Sequence, residues 1–380
     1  MKTPYRCWAE IDLNALRENL AWIRHRVGPA VKIITVVKAD AYGHGLKQIA
    51  ALLMQSGTDV FGVANLLEAQ AIRSVGRGWP ILMLGACLPD EVESAVRDEV
   101  MPTLSSLEEA KRFSTVASRR KQTVGVHIKL DTGMGRLGVA PEEAGALIKA
   151  VDGLPGLEVH GISTHYSSVE DDAEFSRRQR DRFRQSIAPL LREGRAIRFL
   201  HANNSGALLL EPGSIYNAVR PGLIVYGIVP RGKRRITAGL QRQVRPAMTW
   251  KCRVAFVKEI TRGTPLSYGG TFVAPHRMRV ATLTAGYGDG YMRAASPRAR
   301  VLIAGRRCAV LGRITMDQMI VDISRLKHVA AGEEVVLLGR QGKEEISAIE
   351  LAQWCGTIPW EVLTNINYRV PRLYRGGQAA

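Results

Sequence analysis

The chain is organised around one ten-residue stretch, Val36-Val37-Lys38-Ala39-Asp40-Ala41-Tyr42-Gly43-His44-Gly45. An apolar run from Ile33 to Val37 leads directly into Lys38. Burying an ammonium group at the end of such a strand is costly unless the group loses its charge, and an amine can do so by forming an imine with an aldehyde cofactor. Gly43 and Gly45 then allow a tight turn in which the backbone passes close to a ligand. Taken alone, an apolar run that ends in lysine more often indicates a surface lysine at the end of an edge strand.

The run before Lys38 is the first of eight short apolar runs that alternate with helical patterns. The runs cover residues 33–37, 60–64, 81–84, 100–104, 124–130, 157–164, 197–201 and 215–219. Helical patterns between them include residues 89–97, 107–118, 141–150 and 173–192. An amphipathic helix also precedes the first run, with Asp12 as its N-cap and apolar residues at Leu13, Leu16, Leu20, Ile23 and Val27. Eight strands separated by helices predict an N-terminal (β/α)8 TIM-type barrel in an α/β protein.

The pattern changes between residues 227 and 245. Residues 229–235 have no core pattern and are typical of a linker. Short strands with frequent glycines follow, at residues 248–258, 278–283, 301–303, 307–311, 319–322 and 334–338, and a last helix is predicted at residues 346–354. These features predict a mainly-β C-terminal domain. The predicted division is therefore a barrel at residues 1–235 and a β domain at residues 236–380.

Composition narrows the class of protein. The chain has 380 residues, of which 46% are hydrophobic and 23% charged, as in a soluble globular protein. Its net charge is +18, but the basic runs lie apart and lack interleaved aromatic residues, so we expect no nucleic-acid partner. With no signal-peptide pattern and no apolar run long enough to cross a bilayer, we expect a cytoplasmic protein that does not bind membranes. The five cysteines are scattered and lack metal spacing, so reduced thiols and no metal site are expected.

Polar residues follow the predicted strands. They are Lys38, Asn65, Lys129 with Asp131, His165, Asn204 with Ser205, and Arg220. In a barrel the carboxyl ends of the strands meet on one face, where active sites lie. Several polar groups that converge there are hard to explain as packing, so this face is the predicted site.

Further motifs occur at two places. The first is Lys129-Leu130-Asp131-Thr132-Gly133-Met134-Gly135-Arg136-Leu137-Gly138, and the second, in the β domain, is Pro265-Leu266-Ser267-Tyr268-Gly269-Gly270. Together with the Lys38 stretch, and in this order, these strings resemble the alanine racemase family, whose members use pyridoxal 5′-phosphate (PLP). The resemblance runs from Ala9-Glu10-Ile11-Asp12 to Tyr368-Arg369-Val370-Pro371-Arg372.

The resemblance implies a role for each site residue. Lys38 and Tyr268 would be the catalytic pair, one on each face of the substrate carbon. The cofactor would be bound by Lys38, Tyr42, His165, Ser205, Arg220, Gly222, Leu223 and Tyr368. The substrate would be bound by Arg136, Tyr287 and Met316. Lys129 would be a candidate for carbamylation, as in some family members.

The implied function is the interconversion of L-alanine and D-alanine, which supplies D-alanine for peptidoglycan. The implied assembly is a homodimer in which Tyr268 enters the partner's site. Three alternatives remain open at this point: a racemase of broader or different amino-acid specificity, an amino-acid decarboxylase on the same barrel, and a non-catalytic PLP carrier. Tyr268 opposite Lys38 argues against the decarboxylase, and the β domain argues against the carrier.

Overall fold

The computed structural model describes residues 4–211, 213, 215–234, 236 and 238–376. The chain forms two compact units. Of the described residues, those within 16–41 and 46–245 form the first unit, and those within 4–15, 42–45 and 246–376 form the second. The division predicted at residues 235 and 236 stays a prediction, and Arg235 itself lies outside the described residues.

The first unit contains a parallel sheet that closes on itself. In spatial order its strands are Val100–Met101, Ile81–Met83, Val60–Val63, Lys32–Val36, Ala218–Val219, Phe199–His201, Leu157–Ser163, Val124–Lys129 and Thr103–Leu104. The first and last of these are separated in the chain by Pro102 alone. Proline has no N–H to donate to a ladder, but the Pro102 carbonyl accepts from His127 N at 2.9 Å. The two short strands are therefore the halves of one strand, and the sheet is a closed barrel.

Helices precede, connect and follow the barrel strands. They are Leu13–Val27, Leu46–Met54, Leu66–Arg73, Val92–Arg97, Leu107–Arg120, Ala144–Asp152, Ala173–Arg192, Ser205–Leu210 and Ala238–Gln241, with short 3₁₀ turns at Pro89–Glu91, Pro141–Glu143 and Leu223–Tyr226. Polar caps start several of them: Ser106 accepts from Glu109 N, and Asp172 accepts from Phe175 N. Inside the barrel a buried cluster joins four strands through Ile34, Val60, Leu82 and Ala218.

The second unit is mainly β. Its nine-stranded sheet has the order Glu344–Ile346, Glu334–Gln341, Arg300–Ile303, Arg306–Leu311, Met319–Asp322, Met278–Leu283, Met248–Ile260, Cys7–Asp12 and Arg372–Arg375. A small hairpin pairs Pro265–Leu266 with Phe272–Val273, and 3₁₀ turns lie at Tyr268–Gly270, Tyr287–Asp289 and Arg293–Ala295. The helices are Ala348–Cys355 and Pro359–Asn365. The prediction that the last helix is at residues 346–354 was wrong, because a second helix begins at Pro359.

The N-terminal strand Cys7–Asp12 lies inside this sheet. It runs antiparallel to Met248–Ile260, with Ile11 opposite Met248, and parallel to Arg372–Arg375, with Ala9 opposite Arg372. The predicted fold class, a barrel followed by a mainly-β domain, is confirmed. None of the helices in the described part of the chain is long and apolar enough to cross a membrane.

Candidate active site

Lys38 begins a single left-handed helical turn, Lys38–Gly43, just beyond the strand Lys32–Val36. The φ angles of residues 39–42 are 52°, 54°, 53° and 52°. This conformation costs about 1–2 kcal/mol for each residue with a Cβ atom, or about 4–8 kcal/mol for the four. The sequence predicted a turn at the glycines, but the left-handed backbone already begins at Ala39. Such strain persists only where contacts hold the backbone, and it is common at active sites.

Carboxylates hold this turn within the barrel unit. Glu68 accepts from Ala39 N at 2.6 Å and from Ala64 N at 2.7 Å. Asp40 Oδ1 accepts from Leu46 N at 2.7 Å. In the second unit, the end of the same turn is held by Arg372 Nε, which donates to the Gly43 carbonyl at 3.0 Å. Tyr42, a predicted cofactor ligand, belongs to this second unit and is buried.

The amine of Lys38 is half-buried at the carboxyl end of the barrel. Burial lowers its pKa, the Arg136 guanidinium lowers it further, and the Glu68 carboxylate opposes both. A lowered pKa favours the neutral amine, which is the form that attacks a carbonyl carbon or accepts a proton.

Lys129 and Arg136 lie at the two ends of the glycine-rich loop that was singled out in the sequence. Burial lowers the pKa of Lys129 well below its ordinary value, and the cations Arg220 and Arg136 add to the effect, opposed by Asp131. Asp131 holds the loop because its Oδ1 accepts from the N–H groups of residues 133, 134 and 135 at 2.9, 2.8 and 3.1 Å. Arg136 is exposed, so its guanidinium is accessible to an anionic ligand.

Arg220 is buried and makes five contacts through its two terminal nitrogens. Nη1 donates to Nδ1 of His201 and to the His201 carbonyl at 2.9 Å. Nη2 donates to the carbonyls of Thr164 and Ala202 at 2.6 and 3.0 Å and to Nδ1 of His165 at 3.2 Å. Burial lowers the pKa of Arg220 to about 10, so it remains a cation at neutral pH. Among the described residues its Nε–H has no acceptor, which leaves it available to an acceptor atom of a ligand.

These contacts determine the tautomers of three histidines. Because arginine only donates, Nδ1 of His165 and of His201 carries no proton. His201 therefore donates Nε2–H to Nδ1 of His127 at 2.9 Å, and His127 carries its own proton on Nε2, which has no partner in the described part of the chain. Burial lowers the pKa of His127 to about 3 and that of His165 and His201 well below the ordinary value, so all three are neutral.

Sequence reasoning missed His127 and His201. His127 precedes Lys129 by two residues in the strand Val124–Lys129, so the two side chains lie on the same face of the sheet. A histidine and a lysine on one face of a predicted barrel strand were the signal that could have found the first of them.

A cluster of donors forms where the last two barrel strands end. Ser205 Oγ accepts from Gly222 N at 3.0 Å and from Ile224 N at 3.4 Å. The Ser205 hydroxyl can therefore still donate its own proton. The N–H of Leu223 lies between those two amides in the same turn. A hydroxyl and backbone N–H groups in this arrangement suit a phosphate group.

The remaining predicted residues lie together in the second unit. Tyr287 N donates to the Thr315 carbonyl at 3.0 Å, and the next residue, Gly288, donates to the Met316 carbonyl at 2.7 Å. Gly286 must be glycine, because a Cβ atom there would lie 2.2 Å from the Thr315 carbonyl oxygen. Asn367 Nδ2 donates to the Gly288 carbonyl at 2.8 Å and places the turn that contains Tyr368 beside them.

These side chains are unusually exposed for their size. Tyr268, Tyr287, Met316 and Tyr368 expose 71%, 42%, 52% and 94% of their surface. The turn of Tyr268 is fixed by Ser267 Oγ, which donates to the Arg313 carbonyl at 2.5 Å, only three residues before Met316. Large apolar and aromatic groups clustered at a surface mark a site of interaction.

Comparison with known proteins gives one consistent result. The chain matches the family described as "Alanine racemase, N-terminal domain" over residues 11–230 and "Alanine racemase, C-terminal domain" over residues 247–374. It is 40% identical over 378 residues to the alanine racemase of Desulforamulus reducens, covering 99% of this chain and 100% of that protein. It is 42% identical over 373 residues to that of Methylacidiphilum infernorum, covering 97% and 93%.

Solved structures agree. The alanine racemase of Clostridium difficile 630 superposes with a TM-score of 0.92 at 33% identity, covering 98% of this chain and 97% of that chain. The Bacillus anthracis enzyme, solved with bound L-Ala-P, gives 0.88 at 32% identity, with 98% and 96% covered. The resemblance inferred from the sequence motifs is confirmed, and the chain belongs to the alanine racemase family.

Proposed function

We propose that this chain is a PLP-dependent alanine racemase that interconverts L-alanine and D-alanine, with Lys38 and Tyr268 as its two acid/base groups. The observation that carries the proposal is the environment of Lys38. A half-buried lysine of lowered pKa stands on a strained turn at the mouth of the barrel, beside cations that suit anionic ligands.

The donor set fits the cofactor. Bound PLP supplies an aldehyde that condenses with amines and a ring that withdraws electrons, which makes the C–H bond beside the amino group acidic. Lys38 would hold the aldehyde carbon. Ser205, Gly222, Leu223, Tyr42 and Tyr368 would bind the phosphate.

Arg220 would face the ring nitrogen through its remaining Nε–H, with His165 holding the guanidinium in place. Because Arg220 stays protonated at neutral pH, it would hydrogen-bond the ring nitrogen without giving it a proton. By withholding that proton, Arg220 would favour return of a proton to the same substrate carbon over transamination.

Racemisation requires proton transfer at both faces of one carbon. The Lys38 amine would remove or return the proton on one face, and the Tyr268 hydroxyl would serve the opposite face. Arg136 and the backbone N–H of Met316 would bind the substrate carboxylate. Tyr287 would line the pocket and limit the size of the side chain that fits.

We further propose a cytoplasmic homodimer that supplies D-alanine for peptidoglycan, with each site shared between two chains. The exposure of Tyr268, Tyr287, Met316 and Tyr368 supports this, because a partner would cover them. A two-fold axis would relate the two shared sites.

Borohydride reduction of the cofactor-loaded protein tests the role of the lysine. We expect mass spectrometry to find the cofactor fixed on Lys38, and Lys38→Ala to abolish racemisation in both directions. A label on another lysine would overturn the proposal.

Rates measured across a panel of amino acids test the specificity, because one methylene group changes discrimination by only about 1–3 kcal/mol. Equal rates for alanine and larger amino acids would favour the broader racemase.

Subunit exchange tests the shared site. Inactive Lys38→Ala dimers are mixed with inactive Tyr268→Phe dimers under conditions in which subunits exchange. About half of the dimers then become hybrids, and each hybrid has one site with an intact Lys38 and an intact Tyr268. Activity should recover to about a quarter of the wild-type level. Exchange demonstrated by mass without any recovery would show that Tyr268 acts within its own chain.

A further inference from the structure

Glu68 connects the ends of two neighbouring barrel strands. It lies in the first turn of the helix Leu66–Arg73. One carboxylate oxygen accepts from the N–H of Ala39, the residue directly after Lys38, at 2.6 Å, and the other accepts from the N–H of Ala64 at 2.7 Å. The strands that end before these residues are parallel neighbours. One side chain therefore ties the peptide that follows the lysine to the adjacent strand.

The position of Glu68 is itself fixed. Its backbone N–H donates to Oδ1 of Asn65, the N-cap of the helix, at 3.0 Å. The side chain thus extends from a capped helix start, where the backbone has little freedom.

Ala39 needs an external acceptor. It is the first residue of the left-handed turn, with a φ angle of 52°, and the first N–H groups of any helical turn have no partner inside it. Glu68 provides that acceptor, and hydrogen bonds to a charged acceptor are shorter and stronger than neutral ones. Two residues later the backbone itself supplies an acceptor, because Ala41 N donates to the Val37 carbonyl at 2.9 Å.

The charge of Glu68 also acts on the lysine. Burial and the Arg136 guanidinium both lower the pKa of Lys38, and the Glu68 carboxylate raises it. Glu68 therefore acts on two neighbouring groups, the backbone N–H of Ala39 and the amine of Lys38.

We propose that Glu68 is a positioning residue for Lys38, and that by holding the N–H groups of Ala39 and Ala64 together it fixes the direction in which the lysine leaves the barrel. This inference rests on the proposed role of Lys38 as the residue that holds the cofactor. Glu68 was not among the residues predicted from the sequence, and it does not contact the reacting atoms.

The test uses Glu68→Gln and a matched control. Glutamine has the same shape, but it loses the charge and can no longer accept through both terminal atoms. The control is Glu109→Gln. Glu109 occupies the corresponding position in the helix Leu107–Arg120, where its carboxylate accepts from the N–H groups of Ser105 and Ser106 at 2.5 and 3.2 Å, but no lysine precedes that contact.

Two quantities are measured on the full-length protein. The first is the pKa of the Lys38 amine in the cofactor-free protein, obtained from the pH dependence of its acetylation by mass spectrometry. The second is the dissociation constant of PLP. For Glu68→Gln we expect a lower Lys38 pKa and a dissociation constant raised about tenfold, as for the loss of one charge-assisted hydrogen bond. Glu109→Gln should change neither quantity, although it removes an equivalent helix-start contact.

The proposal is overturned if Glu68→Gln has the Lys38 pKa and the PLP dissociation constant of the wild type. It is also overturned if Glu109→Gln shifts both quantities as much as Glu68→Gln does. If Glu68→Gln does not fold, Glu68→Asp carries the test. Aspartate keeps the charge but is one methylene shorter and cannot reach both N–H groups, so PLP affinity should fall while the Lys38 pKa stays near the wild-type value. If Glu68→Asp binds PLP as tightly as the wild type, holding the N–H groups of Ala39 and Ala64 together is not what positions Lys38. Failure of the wild type to attach PLP at Lys38 would instead refute the proposed function, and the acetylation curves would still report the effect of Glu68 on the amine.

Discussion

Replacing Arg220 with lysine is the sharpest test of the network beneath the predicted cofactor ring. The substitution keeps a positive charge but replaces a planar fork with a single ammonium group. In the structure Arg220 donates to five acceptors: three backbone carbonyls and Nδ1 of two histidines. All are buried or partly buried, so acceptors that lose their donor are not fully rescued by water.

The structure gives the size of the effect. An ammonium has three N–H donors, and one of the five acceptors, the His201 carbonyl, also accepts from Thr164 N at 3.3 Å. Even an ideally placed lysine therefore leaves one buried acceptor without a donor. Such a group costs about 1–3 kcal/mol, so Arg220→Lys should lower the free energy of unfolding of the barrel unit by about 1–3 kcal/mol. A domain is stable by only about 5–15 kcal/mol, so the change is a measurable part of the total.

Urea unfolding of the cofactor-free protein, followed by far-UV circular dichroism, measures the loss. The matched control is Arg198→Lys. Arg198 is exposed and pairs with Glu158 at 3.2 Å, and loss of such a pair costs about 0–1 kcal/mol. If Arg220→Lys destabilises the protein no more than Arg198→Lys does, the five contacts do not hold the guanidinium, and its Nε–H is not fixed as the donor left for the ring nitrogen.

Three further predictions follow from buried groups. Burial, aided by His160 and Arg220, lowers the pKa of His127 to about 3, below the unfolded value of about 6.5. At acid pH the unfolded chain therefore binds a proton that the folded chain does not. The contribution of this histidine to the free energy of unfolding is fully present above about pH 6.5, and it falls by about 1.4 kcal/mol for each pH unit below that. His127→Gln should flatten the pH profile of the unfolding free energy. Lys129, whose pKa is lowered chiefly by burial, should react as the neutral amine with carbon dioxide, forming an N–C bond and releasing a proton, and carbon-13 NMR with labelled bicarbonate should detect the carbamate. Burial raises the pKa of Cys7 to about 12 and that of Cys252 well above its ordinary value, so a disulfide reagent near neutral pH should modify the partly exposed Cys355 before either of them.

Each of these has a contrary outcome. A His127→Gln variant with an unchanged pH profile would mean that the buried histidine is not the group that titrates. A carbamate signal that persists in Lys129→Ala would assign it to another amine. Cys7 labelled as fast as Cys355 in the folded protein would show that the strand Cys7–Asp12 opens readily.

Much of the barrel could be predicted from periodicity alone. The helix predicted from Leu13, Leu16, Leu20, Ile23 and Val27 is found at Leu13–Val27, and the predicted strands agree with the observed ones to within a few residues. Apolar spacing encodes these elements directly, because each must bury one face. The strand-end rule likewise predicts that Lys38, Lys129, His165 and Arg220 lie at the ends of barrel strands, and the structure has each of them at or just after such an end.

Other features depend on contacts between distant residues and leave no local pattern. The alanines of Ala39-Asp40-Ala41 do not favour a left-handed backbone. It is held by Glu68, which is remote in sequence, and by Asp40 itself, whose Oδ1 accepts from Leu46 N. The chain of His127, His201 and Arg220 arises only in the closed barrel, because the strands Val124–Lys129 and Phe199–His201 are separated in the sheet by Leu157–Ser163. The role of each predicted site residue, and the boundary at residues 235 and 236, stay predictions.

The place of the strand Cys7–Asp12 has a consequence for the order in which the protein can fold on the ribosome. This strand is synthesised well before its neighbours in the sheet, Met248–Ile260 and Arg372–Arg375. At about 5–20 residues per second, its first neighbour follows about 12–50 s later, and its second still later. During that time the segment Cys-Trp-Ala-Glu-Ile-Asp has apolar side chains and unpaired backbone groups on both edges, which is the kind of surface that chaperones bind. A circular permutant that places this strand after Arg375, through the crossover linker that parallel neighbours require, would let it emerge after both of its partners while keeping the same neighbours in the sheet.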